Sequence, residues 1–166
     1  MKHTFLLLSF TLSVINISAQ NFEWAIKMQS SLASSAYSIT IDNAGNSYVT
    51  GNFYETFFYG SGNDDFLTSK GLGDCYVAKY DPQGNPIWAL QMGGEEDQYG
   101  YSVAVDKDGN VYTTGSFYGM VDFDPSSETR LLDAAGGADA FVCKMDKDGN
   151  LLWVKAFAGS QNEEGQ

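Results

Sequence analysis

The chain has 166 residues, with 21 acidic residues against nine basic ones, a net charge of −12 and a single histidine. Such an excess of carboxylates repels phosphate backbones, so the composition argues against nucleic-acid binding. Eighteen glycines, ten tyrosines and eleven phenylalanines, with no leucine-rich helical period, point to an all-β protein.

The first element in chain order is a leader. Lys2 and His3 precede an apolar run, Phe5–Val14, and Ile17-Ser18-Ala19 offers a small residue before a cut. Residues 1–19 therefore read as a secretory signal peptide that leaves Gln20 as the new N-terminus. The run is about half of the roughly 20 residues that a membrane-spanning helix needs, and no later segment is apolar enough to insert. The expected location is secreted or cell-surface, with the periplasm as the alternative.

Residues 20–166 are organised by repetition. The pattern Asp-x-x-Gly-Asn occurs at Asp42–Asn46, Asp81–Asn85, Asp106–Asn110 and Asp146–Asn150, each time between short runs rich in Tyr, Val, Ile and Phe. Each copy predicts a hairpin in which Asp caps a turn and Gly takes the left-handed conformation. Tyr37–Phe53 matches Tyr101–Phe117 with nine of 17 positions identical, and Asp74–Trp88 matches Asp139–Trp153 with seven of 15 identical.

Residues 22–29 form an orphan strand D, because Trp24-Ala25-Ile26-Lys27-Met28 aligns with Trp88-Ala89-Leu90-Gln91-Met92. Blade 1 spans residues 37–92, with strand A at Tyr37–Asp42, B at Ser47–Phe53, C at Cys75–Tyr80 and D at Pro86–Met92. Short apolar runs at Thr56–Tyr59 and Phe66–Thr68 predict a small extra hairpin between B and C. Blade 2 spans residues 101–157, with strands at Tyr101–Asp106, Val111–Phe117, Ala140–Met145 and Leu151–Phe157. Residues 158–166 lead into a further blade. Strands such as Tyr76-Val77-Ala78 and Phe141-Val142-Cys143 are apolar on both faces, as sheets stacked face to face require. The predicted fold is a β-propeller: two four-stranded antiparallel blades plus an N-terminal closing strand, an incomplete ring. A ring needs at least about four blades, so the remainder is expected from the same chain or from self-association.

The chain resembles the bacterial seven-bladed β-propeller (SBBP) repeat family. The resemblance is carried by Ser102-Val103-Ala104-Val105-Asp106-Lys107-Asp108-Gly109-Asn110-Val111-Tyr112, Thr114-Gly115-Ser116-Phe117 and Val121-Asp122-Phe123-Asp124-Pro125. It continues through Asp139-Ala140-Phe141-Val142 and Asp148-Gly149-Asn150 to Trp153. The first repeat departs at residues 56–62. The resemblance implies exported or surface proteins, often with further domains, and no common catalytic activity.

The residues themselves supply little chemistry. With His3 in the leader, residues 20–166 hold no histidine, which removes Ser-His and Cys-His nucleophiles, histidine zinc sites and histidine bases. No catalytic, cofactor-binding or metal site is assigned, and no cofactor is expected. Asp106, Asp108 and Asn110, like Asp146, Asp148 and Asn150, start as a calcium loop does, but Val111 and Leu151 stand where that loop needs Gly. Hairpin geometry accounts for all four turns.

Asp122 and Asp124 are weighed as a shared cation site against a solvent-facing pair, and Glu95-Glu96-Asp97 as a binding loop against an exposed one. The aromatics Tyr54, Phe57, Phe58, Tyr59, Phe117, Tyr118 and Phe123 are read as core rather than sugar platforms. Cys75 and Cys143, which are not repeat-equivalent, are read as buried free thiols. The expected function is a non-enzymatic binding scaffold for an unknown protein or glycan. Alternatives are a carbohydrate-active glycosidase or lyase using rim carboxylates, and a purely structural spacer.

Overall fold

The computed structural model of the protein describes residues 24–62, 64–157, 159 and 165. The predicted signal peptide lies outside these residues, as do Phe22 and Glu23 of the predicted orphan strand. Eleven strands follow one another: β1 (Gln29–Ser30), β2 (Ser34–Ile41), β3 (Ser47–Phe58), β4 (Phe66–Tyr80), β5 (Pro86–Gly94), β6 (Gln98–Val105), β7 (Val111–Phe117), β8 (Met120–Asp122), β9 (Leu131–Asp133), β10 (Asp139–Met145) and β11 (Leu151–Phe157). Strands β2 to β5 pair antiparallel in sequence order and form blade 1. Strands β6, β7, β10 and β11 pair in the same order and form blade 2.

The two apolar runs predicted to form an extra hairpin in the first insertion do pair with each other, as a continuation of β3 and β4. Glu55 sits at φ 58 where the register shifts between Tyr54 and Thr56, and beyond it Thr56, Phe57 and Phe58 pair with Thr68, Leu67 and Phe66. That bulge lets one strand change direction without ending. In blade 2 the equivalent stretch breaks away as the separate hairpin β8–β9.

The two-sided apolar pattern has a direct packing consequence. Tyr48, Cys75, Val77 and Met92 of blade 1 merge with Val111, Phe141, Cys143 and Met145 of blade 2 into one buried cluster. On the other face of blade 1, Val49, Phe53, Phe57, Tyr76, Ala78 and Tyr80 are covered by Ile26 and Met28 of the N-terminal segment. Fully burying each such side chain contributes about 1.5–3 kcal/mol, so the interface between sheets is a major source of stability. Both cysteines are buried and free, with Cys143 Sγ 3.7 Å from Met92 Sδ.

Two polar contacts fix the angle between neighbouring units. Trp88 Nε1 and Lys79 Nζ of blade 1 both donate to the carbonyl of Lys147, in the turn between β10 and β11, at 3.4 and 3.0 Å. Lys79 is nearly buried, and its ammonium meets that carbonyl and two aromatic rings, 5.1 Å from the Tyr48 centroid and 6.0 Å from that of Trp88. Trp24 Nε1 donates in the same way to Pro82 O, 2.9 Å away, in the turn between β4 and β5. Trp24–Met28 forms no ladder of its own, yet it sits against blade 1 as Trp88–Met92 sits against blade 2.

A backbone latch accompanies each of these contacts. Gly93 and Gly94, at the end of β5, pair with Asp122 and Val121 of β8. Gln29 and Ser30 pair with Phe58 and Phe57 of β3 in the equivalent register. The insertion of each blade thus extends the sheet that precedes it. At the far end, Gly165 lies against Thr114 and Gly115, much as Gly100 lies against Thr50 and Gly51.

Strands β2 and β6 each contain a bulge, at Tyr37 and Tyr101, opposite Gly51 and Gly115. A Cβ on Gly115 would collide with the Tyr99 carbonyl, and one on Gly51 with the Ser35 carbonyl. The glycines are therefore required by close backbone approach rather than by turn geometry. Gly115→Ala is expected to destabilise the protein by about 1–3 kcal/mol, as overpacking against backbone does. Urea denaturation read by tryptophan fluorescence checks this, and an unchanged midpoint would contradict it.

Candidate functional site: the loop-bearing rim

The two rims of the blades differ in kind. One carries all four Asp-x-x-Gly-Asn turns. In the third, Asp106 Oδ1 accepts from the backbone N–H groups of Asp108 and Asn110, both at 2.9 Å, and Oδ2 accepts from Asn110 Nδ2 at 2.8 Å. The other three turns repeat these bonds with Asp42, Asp81 and Asp146. Gly109 sits at φ 84, the left-handed conformation that closes the turn. The Asn110 side chain, helped by the backbone donors, holds the Asp106 carboxyl down at about 2. The middle acids Asp108 and Asp148 pair with the adjacent Lys107 and Lys147. The carboxylates of these four turns are thus engaged within their own turns.

The β5–β6 connection lies at the opposite rim, and the insertions leave from it and fold back along the blades, so that Tyr59 O accepts from Tyr80 OH and Arg130 comes beside Leu152 and Trp153. Where hairpin β8–β9 latches onto β5, a cleft of about 500 Å³ opens between the blades, lined by Lys70, Glu95, Glu96, Met120, Asp122 and Leu131. Of the acids singled out in the sequence, Glu95, Glu96 and Asp122 meet here, while Asp97 and Asp124 do not. Asp97 turns inward, where Oδ1 accepts from Gly73 N at 3.1 Å and its carbonyl accepts from Tyr118 N. Asp122 Oδ1 accepts from the N–H groups of Asp124 and Arg130, and Asp124 Oδ1 from Ser126 N. Asp122 and Asp124 thus each cap their own stretch of the loop. Among the described residues no three His, Cys, Asp or Glu side chains converge as metal ligands do.

The insertion aromatics divide. Phe57, Phe117 and Phe123 are buried, whereas Phe58 and Phe66 form an exposed pair with ring centroids 6.2 Å apart. A second aromatic group, not read from the sequence, lies where β2 and β6 run alongside each other. Tyr99 and Tyr101 stack at 5.9 Å with 9° between their planes, and Tyr37 meets Tyr101 edge to face at 5.7 Å. Tyr54 OH lies 3.4 Å from Tyr99 OH. The hydrogen bond with Tyr54, burial and the nearby Asp97 charge hold the Tyr99 phenol well above its ordinary range.

The comparisons with known proteins agree with this architecture. The SBBP family model, described as a beta-propeller repeat, matches residues 31–52 and 87–116. The first match covers β2, its turn and the start of β3, and the second runs from β5 into β7. These two stretches are similar to the SBBP repeat, and the strands they span belong to antiparallel β-propeller blades. The chain is 34% identical over 91 residues to the uncharacterized WD repeat-containing protein L264 of Acanthamoeba polyphaga mimivirus, covering 53% of this chain and 7% of that protein. It is also 30% identical over 95 residues to the regulatory protein FlaEY of Caulobacter vibrioides, covering 57% of this chain and 10% of that protein.

Each blade also buries one carboxylate in its third strand, Asp74 within β4 and Asp139 at the start of β10. Asp139 Oδ2 accepts from Ala135 N at 3.0 Å. Asp74, fully buried, accepts on Oδ2 from Lys70 N and Gln91 Nε2, at 3.0 and 2.9 Å, while its Oδ1 has no hydrogen-bond partner among the described residues. Burial raises the Asp74 carboxyl to about 6, against the opposing pull of these donors. Because the folded value lies above the ordinary one, the contribution to stability is complete below about pH 4 and is lost as pH rises through 6. Asp74→Asn is therefore expected to raise stability at pH 8 by about 2–3 kcal/mol and to leave it unchanged at pH 4. Denaturant titrations at the two pH values decide this, and a variant no more stable at pH 8 refutes it.

Proposed function

We propose that this β-propeller segment is an exported, non-catalytic binding scaffold whose loop-bearing rim engages a protein or glycan partner outside the cell. The carrying observation is the division of labour between the rims. One rim is four copies of a single turn with its carboxylates internally bonded. The other gives rise to the divergent insertions and an open cleft lined by the exposed Glu95 and Glu96, whose carbonyls hold Leu72 N and Gln98 Nε2. Variable loops held on a rigid frame are the usual carriers of recognition.

Several features support this reading. The comparison with a WD repeat-containing protein and with a regulatory protein fits a scaffold that works through interactions. The leader-like residues 1–19 support export to the cell surface or beyond. Ile39 and Ile41 on the back of blade 1, and Phe157 on the front of blade 2, are each about 60% exposed, whereas Met92, the counterpart of Phe157, is fully buried. We read both faces as covered in the working assembly by further blades, of this chain or of another copy, with Trp24–Ser30 serving as strand D of the neighbouring blade.

Glu95→Ala/Glu96→Ala is expected to leave the thermal midpoint within about 1–2 °C, as exposed substitutions do, while partner capture falls at least about tenfold. A glycan array and a pull-down of surface proteins, run beside the turn-rim control Asp108→Ala, provide the measurement. Polysaccharide turnover that the double substitution abolishes would replace the scaffold by an enzyme.

A further inference from the structure

We infer that Trp153 and Lys144, on the open front face of blade 2, form a clasp for one turn of a following blade of the repeat, and that they take the carbonyl two residues before the turn glycine. The inference rests on the reading of that face as covered by a further blade, and adds the contact that recognises it.

The same contact occurs twice within the molecule. Trp88 Nε1 and Lys79 Nζ both donate to Lys147 O, and Trp24 Nε1 donates to Pro82 O. Each carbonyl lies two residues before a left-handed turn glycine, Gly149 and Gly84. The indole also covers that glycine. A Cβ on Gly84 would press on the Trp24 ring, and one on Gly149 would press on Leu90 and Trp88. Any side chain there would lift the indole from the carbonyl, so glycine and tryptophan specify each other across the seam.

Blade 2 carries the same parts. Trp153 and Lys144 are register partners on β11 and β10, as Trp88 and Lys79 are on β5 and β4. Tyr112 meets Trp153 edge to face at 6.3 Å, as Tyr48 meets Trp88 at 6.1 Å. Lys144 Nζ stands 5.0 Å from the Tyr112 centroid, matching 5.1 Å between Lys79 and Tyr48. The blades differ in what these donors meet. Lys144 leans on Asp106, 3.8 Å away, and Trp153 Nε1 has no acceptor among the described residues. Around them Tyr112 and Val142 are half-buried and Phe157 is exposed, whereas Tyr48, Val77 and Met92 of blade 1 are fully buried.

Two observations select the occupant. Both described turns between a third and a fourth strand are already covered, Gly84 by Trp24 and Gly149 by Trp88, so a second copy has no free turn to offer. Gly165 lies against Thr114 and Gly115 as Gly100 of blade 2 lies against Thr50 and Gly51, which sets the backbone where the innermost strand of a next blade belongs. In a repeat array each unit contacts only its neighbours, so one clasp serves every seam.

The test compares the protein expressed from its complete sequence with the same protein lengthened by a copy of residues 102–165 placed after Gln166, which supplies a third blade in register. Hydrogen exchange is followed by NMR at the tryptophan indoles and the backbone amides. In the unlengthened protein the Trp153 indole N–H is expected to exchange at least about tenfold faster than that of Trp88. In the lengthened protein it should slow into the range of Trp88, while the indole of the appended copy becomes the fast one. Lys144→Met/Trp153→Phe keeps the apolar parts of both side chains and removes both donors. It should speed exchange across the appended blade at least about tenfold and leave blade 2 of the unlengthened protein unchanged. A protected third blade with a fast Trp153 indole, or one indifferent to the double substitution, would overturn the clasp and leave the covered face standing. An appended blade without protection would overturn both. An equal effect of the substitutions in the two proteins would assign the pair to blade 2 itself and refute the clasp. Slowing of the Trp153 indole in the unlengthened protein as its concentration rises would make a second copy the occupant, and a following blade would be refuted.

Discussion

Everything in this molecule depends on one sheet lying flat against the next. A four-stranded antiparallel sheet with apolar residues on both faces has no stable existence alone, because one face is always wet. Blade 1 resolves the problem by sharing its front face with blade 2 and its back face with Ile26 and Met28. Apolar burial is non-directional, however, and would tolerate many stacking angles. Direction is added by Trp88 and Lys79, which both donate to one carbonyl in the neighbouring turn.

The same logic explains how a chain with 21 acidic residues stays folded. Repulsion between carboxylates is suppressed where each has its own donors, as in the four turns, and there the charged form is the favoured one. Asp74 is the opposite case. It has two donors on one oxygen, none on the other and a raised carboxyl value, so neutral pH acts against it. Its counterpart Asp139 accepts on both oxygens, from Ala135 N and Gly159 N. The asymmetry follows from what surrounds each residue rather than from the repeat that placed them.

Much of the frame was legible in the residues. The Asp-x-x-Gly-Asn motif encodes a purely local structure, so four turns and the strands beside them follow from it directly. The alignment of Trp24 with Trp88 carried real positional content, because the indole must reach a carbonyl at a fixed distance from its own strand. What depends on neighbours in space was hidden. Thr56–Tyr59 read as a separate hairpin because the Glu55 bulge, at φ 58 in a non-glycine residue, leaves no composition signal. Asp122 and Asp124 looked like a pair because period-2 spacing shows only which side they share, not that Arg130 N and Ser126 N would occupy them. The tyrosine group escaped notice because Tyr37 and Tyr101 lie a repeat apart and Tyr54 comes from another strand. Their repeated placement opposite Gly51 and Gly115 was the one available clue.

The pairing of Gly93–Gly94 with β8 has a mechanical corollary. Because the tip of one unit is hydrogen-bonded into the edge of the one before it, neither can peel off as an independent rigid body. Pulling the chain lengthwise first shears a short antiparallel ladder, which loads its bonds together rather than one at a time. An array joined this way behaves like overlapping roof tiles, each pinned under the next, and gives way only when several joints slip at once.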